Sequence, residues 1–225
     1  TQAAHTSPFS FRSASTQYLK LNFGATPSNN QLQIAFRNSA TATATSSVNS
    51  IPLNTWTNVI IVFDASSSLS LYVNGSLDGQ DTTGLPTSAV QSTNIYIGTD
   101  GGNTTGRDFN GKIDHVAIFD YALSSSQVTS LYGNSTDGVG NPMAITGGRK
   151  PIAYYPIGDY AAFNGSEYLV NNGALQDYVF DFDNGDKITT SALSNFVTSN
   201  ITASLWVNYA TLPASFVGNP MGATN

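Results

Sequence analysis

Carboxylates are the first side chains to ask about. The chain carries fourteen acids, thirteen of them Asp, with Glu167 the only Glu. Glycoside hydrolysis needs two carboxylates facing each other at about 5 Å or about 6.5–9.5 Å. Asp181 and Asp183 share a strand face by period two, but they run straight into the Asn184-Gly185 turn, which fits a polar solvent face. A Ser-His-Asp arrangement needs a positioned imidazole. His5 lies beside the first residues of the sequence, and His115 sits inside an apolar stretch that reads as strand. Neither follows a nucleophile-elbow pattern, so no catalytic residue is assigned.

Oxygen-rich loops suit hard cations, which gather Asp, Asn and backbone carbonyls. Asp100-Gly101-Gly102-Asn103, Asp108 and Asp114 form the densest such run, so Asp100, Asn103, Asp108 and Asp114 are the expected Ca²⁺ ligands. Asp78 and Asp81 make a second group in a predicted loop. Residues 181–186 are not an EF-hand loop, because the fifth position is Gly185 and the twelfth is Ala192 rather than Glu. Sugars would be held by exposed aromatic rings with amide and carboxylate partners. Tyr72 and Tyr96 are the expected ligand-binding rings, with Tyr154 and Tyr155 as further candidates. Tyr72 alternates with Leu71 and Val73 and so points to the opposite face.

Composition narrows the classes of partner. Eight basic residues against fourteen acids give a net charge of −6, and no basic cluster stands in the sequence to release counterions from DNA or RNA. The longest purely apolar run, residues 59–63, falls far short of the roughly 20 residues of a membrane helix. Cysteine is absent, which excludes disulfides, thiolate zinc sites and cysteine nucleophiles.

The elements that must carry these residues are strands. Ser and Thr total 52 and Asn 22. Such short polar side chains favour turns and disfavour helix interiors. Apolar alternation marks residues 18–23 (Leu19, Leu21 and Phe23 on one face) and 31–36 (Leu32, Ile34 and Phe36) as half-buried strands. Residues 59–63 are apolar on both faces and predict a central strand. Residues 69–73 run into Asn74-Gly75, whose tolerance of positive φ predicts a tight hairpin returning through Ser76 and Leu77. Asn164-Gly165 and Asn184-Gly185 repeat that signal. Further strands are predicted at 95–97, 112–119, 178–183 and 201–207. One helix is predicted at 124–132, opened by the Ser124-x-x-Gln127 capping pattern and stopped by Gly133. Residues 134–150 are Gly-rich and predict a linker.

The run Phe109-Asn110-Gly111-Lys112-Ile113-Asp114-His115-Val116-Ala117-Ile118-Phe119, followed by Ala122-Leu123-Ser124, Val128 and Leu131-Tyr132, resembles the closing strand and helix of laminin-G-like, concanavalin A-like jelly rolls. Trp56 through Asp64 and Leu69 through Gly75 resemble the preceding hairpin. The resemblance implies an all-β antiparallel sandwich over residues 1–133, with one short helix at 124–132. It also implies core positions for Trp56 and Trp206. Glucanases of this architecture present Glu-x-Asp-x-Glu on one strand, a triplet missing here.

Val179 through Ile188 and Ile201 through Val207 resemble the opening strands of the same family. Pro151 through Asp159 resembles the lead-in between tandem modules of phage and marine-virus structural proteins. Opening strands thus follow the closing helix. Residues 151–225 are expected to complete residues 1–133 or a neighbouring copy, the latter making a homo-oligomer by strand exchange; the alternative is that the sequence is a window on a longer tandem array whose missing halves lie outside it. The implied function is a non-enzymatic structural or adhesive module of a repetitive surface or virion appendage, outside the cell, contacting glycans or copies of itself, with neither nucleic acid binding nor membrane insertion. A Ca²⁺-dependent lectin is the alternative and a glycoside hydrolase the third.

Overall fold

The computed structural model describes residues 6–23, 30–38, 40–87, 94–102, 107–133, 140–157, 161–163, 168–170, 180–182, 187–190 and 200–209. His5, Asn103, Asn164-Gly165, Glu167, Asp183 and Asn184-Gly185 lie outside them.

Strands are β1 (Thr6–Ala14), β2 (Gln17–Phe23), β3 (Leu32–Asn38), β4 (Ala40–Thr45), β5 (Trp56–Asp64), β6 (Ser68–Val73), β7 (Ser76–Asp81), β8 (Asn94–Ile97) and β9 (Gly111–Phe119). After helix α1 (Ser125–Tyr132) come β10 (Ala153–Tyr155), β11 (Ala161–Phe163), β12 (Tyr168–Val170), β13 (Phe180–Phe182), β14 (Ile188–Thr190) and β15 (Asn200–Tyr209). Two antiparallel sheets form a sandwich, one in the order β14-β8-β1-β2-β3-β4, the other β10-β9-β15-β5-β6-β7, with β13 also on β9. The short pair β11-β12 stands apart from both.

Alternation decides what lies between the sheets. Phe9, Phe11, Leu19, Leu21, Leu32, Ile34 and Phe36 face Val59, Ile61, Phe63, Leu205 and Val207 across one buried core. At one end Tyr209 stacks on Phe23 with ring centroids 4.4 Å apart, and Phe109 closes the group at 5.5 Å from Tyr209. The central position predicted for residues 59–63 holds: β5 lies between β15 and β6. The Asn74-Gly75 turn has φ of 49° and 76°, positive at both central residues as a type I′ hairpin requires.

A second apolar cluster lies outside the sandwich. Ile60, Val62, Ala117 and Phe119 on the outer face of the β5 sheet pack against Leu123, Val128 and Leu131 of α1 and its lead-in. The helix starts as its sequence predicts. Gln127 N–H donates to Ser124 Oγ at 3.3 Å and Ser124 N–H to Gln127 Oε1 at 2.9 Å. At the other end Gly133, at φ 76°, donates to Thr129 O. Thr202 Oγ1 on β15 accepts from Leu123 N–H and donates to Tyr121 O, tying the helix entry to the sheet.

Two expectations change, those for Asp78 and Asp81 and for Trp206. Asp78 and Asp81 lie on strand β7, not in a loop, because the hairpin at Asn74-Gly75 pairs that polar segment with β6. Residues 140–150 form a strap over α1: Pro142 is buried, Ile145 joins the second cluster, and Arg149 pairs with Asp120 at 2.9 Å. Trp206 sits on the outer face of its sheet, since period two gives the inner face to Leu205 and Val207.

Candidate functional site

The residues singled out for chemistry separate onto the two outer faces. On the β1-β2-β8 face, the loop after β8 doubles back. Ser10 Oγ donates to Thr99 O at 3.2 Å, and a Cβ on Gly101 would enter the Tyr96 ring, so this loop rests on Tyr96. Tyr96 is half-buried and its hydroxyl accepts from Asn94 Nδ2 at 3.1 Å. The loop delivers Asp100, 1% exposed, into a ring of cations. Arg107 Nη1 is 2.6 Å from Asp100 Oδ2, Lys20 Nζ 3.7 Å and Arg12 Nη1 3.9 Å. Gly102 N–H donates to Asp100 Oδ1 at 2.8 Å.

These neighbours set the charge states. Burial works to raise the Asp100 pKa, but the Arg107 hydrogen bond, the Gly102 N–H and the surrounding charge outweigh it and hold the carboxylate below its ordinary value. Lys20 goes the other way. Desolvation lowers its pKa to about 8, Asp100 opposing and the two arginines reinforcing the shift. A divalent cation would have to displace Arg107 and enter a place that already carries three positive charges. Asp100 therefore serves the protein's own cations.

The other expected metal ligands do not gather there. Asp108 pairs in an isolated bridge with Ser7, while Asp114 lies on β9 in the other sheet. Asn103 is outside the described residues, among which no group of three His, Cys, Asp or Glu side chains could hold a metal ion.

On the outer face of the β5 sheet a different site emerges. Cross-strand register sets Asn58, Trp206 and Asp114 in one row across β5, β15 and β9. The Tyr132 ring, from the last turn of α1, stacks on Trp206 at 5.8 Å. Beneath it Asn58 is fully buried, and both its amide atoms and Trp206 Nε1 lack a hydrogen-bond partner among the described residues. Buried polar atoms without partners are rare and call for an explanation such as an ordered water, an ion, local strain or a functional role.

At the row's far end β9 bulges, and His115 adopts φ 48° within a strand. Left-handed backbone costs an L-residue about 1–2 kcal/mol and recurs at sites of function. Asp114 holds the bulge, its Oδ1 accepting from His115 N–H at 2.8 Å. His115 Nδ1 lies 2.6 Å from the Tyr154 hydroxyl and its Nε2 3.6 Å from Asp114 Oδ2. Sequence reasoning missed this row. Asn58 stands inside a strong apolar strand, and Tyr132 reads as a helix core position. Tyr72 points to this outer face as its alternation predicts, and packs against the helix-side cluster.

The sandwich, its closing β9 strand and its capped helix fit one family, and the comparison agrees. The profile of the concanavalin A-like lectin/glucanase superfamily, Laminin_G_3, matches residues 1–129. The chain belongs to this superfamily. Searches of curated proteins and of solved structures return no significant match. For a concanavalin A-like chain the profile is informative in where it stops: β15, the strand carrying Trp206, lies beyond the matched residues.

Proposed function

We propose that this chain is a non-enzymatic structural and adhesive module of a repetitive surface or virion appendage, which holds a neutral glycan at the Asn58-Trp206-Asp114 row. The buried Asn58 amide and Trp206 indole N–H, without partners among the described residues, and the Tyr132 ring stacked on Trp206 carry this reading. A sugar presents an apolar face to an aromatic ring and hydroxyls to amide and carboxylate groups, the pairing this row offers. Hydrolysis is disfavoured because it takes two facing carboxylates and the row supplies only Asp114. The appendage setting rests on the likeness of residues 151–159 to tandem-module lead-ins.

A neutral-glycan array read with the wild-type chain and Trp206→Phe tests the proposal. The substitution keeps an aromatic ring and removes the N–H. One lost hydrogen bond predicts binding weaker by roughly tenfold, with the melting temperature nearly unchanged. A folded wild-type chain with no array binding, or equal binding by Trp206→Phe, would defeat it.

A further inference from the structure

Among the described residues, the opposite outer face carries more positive than negative charge. Arg12, Lys20 and Arg107 surround one carboxylate, three positive charges against one negative. Arg37, next to Tyr18 in the β2-β3 register, lies on the same face, which thus gathers four of the chain's eight basic residues. Only Arg107 is at hydrogen-bond length from Asp100. Lys20 and Arg12 stand at 3.7 and 3.9 Å, and the ammonium's other neighbour is the Tyr18 ring, 4.7 Å from its centroid.

A buried ammonium whose nearest carboxylate is shared with two guanidinium groups is costly. Two residues beyond Lys20 on the same face of β2, Asn22 is 1% exposed, with both amide atoms lacking a hydrogen-bond partner among the described residues. Access remains: the side chains of Arg12 and Arg107 are 20% and 31% exposed. A Cβ at Gly102 would lie 2.8 Å from Arg12 Nη1, so glycine leaves room for the guanidinium to turn.

We propose that this face is an oxyanion site, in which Arg12, Arg107 and Lys20 hold a carboxylate or sulfate group of an acidic polysaccharide. Guanidinium forks match the paired oxygens of both groups, and the buried Lys20 adds a point charge behind them. Asp100 holds Arg107 at hydrogen-bond length and stands farther from Lys20 and Arg12, which the ligand would share with it. Burial holds Lys20 near pH 8, so an arriving anion also draws a proton onto it.

Isothermal titration of the full chain with an oligogalacturonate, a sulfated dextran oligosaccharide, sodium sulfate and neutral dextran tests this. Expected are saturable binding of the acidic oligosaccharides that weakens with salt, no salt-dependent binding of neutral dextran, and proton uptake on binding the acidic oligosaccharides at about pH 8.5, just above the Lys20 midpoint, seen as buffer-dependent heat. Arg12→Gln and Lys20→Met should each weaken binding roughly ten- to hundredfold, the range of a charge-assisted hydrogen bond. Lys20→Met should also abolish the proton uptake. Binding of sulfate alone would mark a simple-anion site and overturn the polysaccharide assignment. No binding by any acidic probe, or equal affinity in a folded Arg12→Gln chain, would overturn the site. Trp206→Phe leaves acidic binding unchanged, and Arg12→Gln leaves neutral-glycan binding unchanged, so this site and the Asn58 row stand or fall separately.

Discussion

Lys20 shows how one residue can weaken a fold while equipping it. Its pKa drops from 10.5 to about 8 because burial strips the ammonium of water faster than the shared Asp100 restores it. A tenfold loss of proton affinity corresponds to about 1.4 kcal/mol, so the protonated lysine costs up to about 3 kcal/mol at neutral pH. Between about pH 8 and 10.5 the unfolded chain still binds a proton here that the folded chain has released, so stability rises with pH across that window. Lys20→Met should therefore stabilise the protein by roughly 1–3 kcal/mol at pH 7 and flatten its profile between about pH 8 and 10, as read by urea unfolding. Above about pH 10 both proteins should lose stability. Burial raises Tyr209 to about 12, so the unfolded phenol ionises first. A destabilised Lys20→Met chain would show that Lys20 is fully compensated. Asp100 was legible in the sequence as an oxygen donor in a Gly-rich loop. Its cations were not, because Arg12 and Lys20 lie far upstream and only the β1-β2-β8 pairing brings them to it.

Elements were more legible than contacts, since period-two alternation and local turn chemistry act within a few residues. Strands β2, β3, β5, β6, β8, β9 and β15, and the capped helix, form where those signals lie. The bulge at His115 was not legible, because nothing in Asp114-His115-Val116 marks the extra residue; it shows only when Trp206 pairs with Asp114 and Ser204 with Ala117. Local and long-range signals meet at the β6-β7 hairpin. Gly75, at φ 76°, serves the turn, and its missing side chain also makes room for Tyr132, whose Cδ1 would lie 2.9 Å from an added Cβ. Gly75→Ala therefore strains the backbone by about 1–2 kcal/mol and pushes the Tyr132 ring off Trp206. The expected outcome is a loss of roughly 1–3 kcal/mol in chemical unfolding, with a change in tryptophan emission. A loss under about 0.5 kcal/mol with unchanged emission would mean the turn and the aromatic pair are uncoupled.

At the scale of the molecule, the last of the described strands occupies the middle of a sheet. β15 pairs with β5 along Asn200 to Asn208 and with β9 along Thr202 to Tyr209, whereas β10 touches β9 at three positions only. Without β15, two long strand edges would face each other across an empty lane, each a template for unwanted pairing. Ile201, Leu205, Val207 and Tyr209 would leave the core with it. At roughly 1.5–3 kcal/mol for each buried side chain, that loss rivals the whole 5–15 kcal/mol by which a domain is stable. Residues 1–150 alone should then aggregate, although they contain every residue the superfamily profile matches. Co-expressed with residues 151–225 they should yield a soluble one-to-one complex, because strand addition needs no covalent link. The same logic lets β15 of one copy fill the lane of another, so concentrated protein refolded from urea should contain exchanged dimers, read by light scattering. Trp206 travels with that strand, and each exchanged dimer would then build its Asn58-Trp206-Asp114 rows from two chains. A soluble, cooperatively unfolding fragment 1–150 would show instead that β5 and β9 can close on each other, and that β15 is an addition to a sandwich already complete.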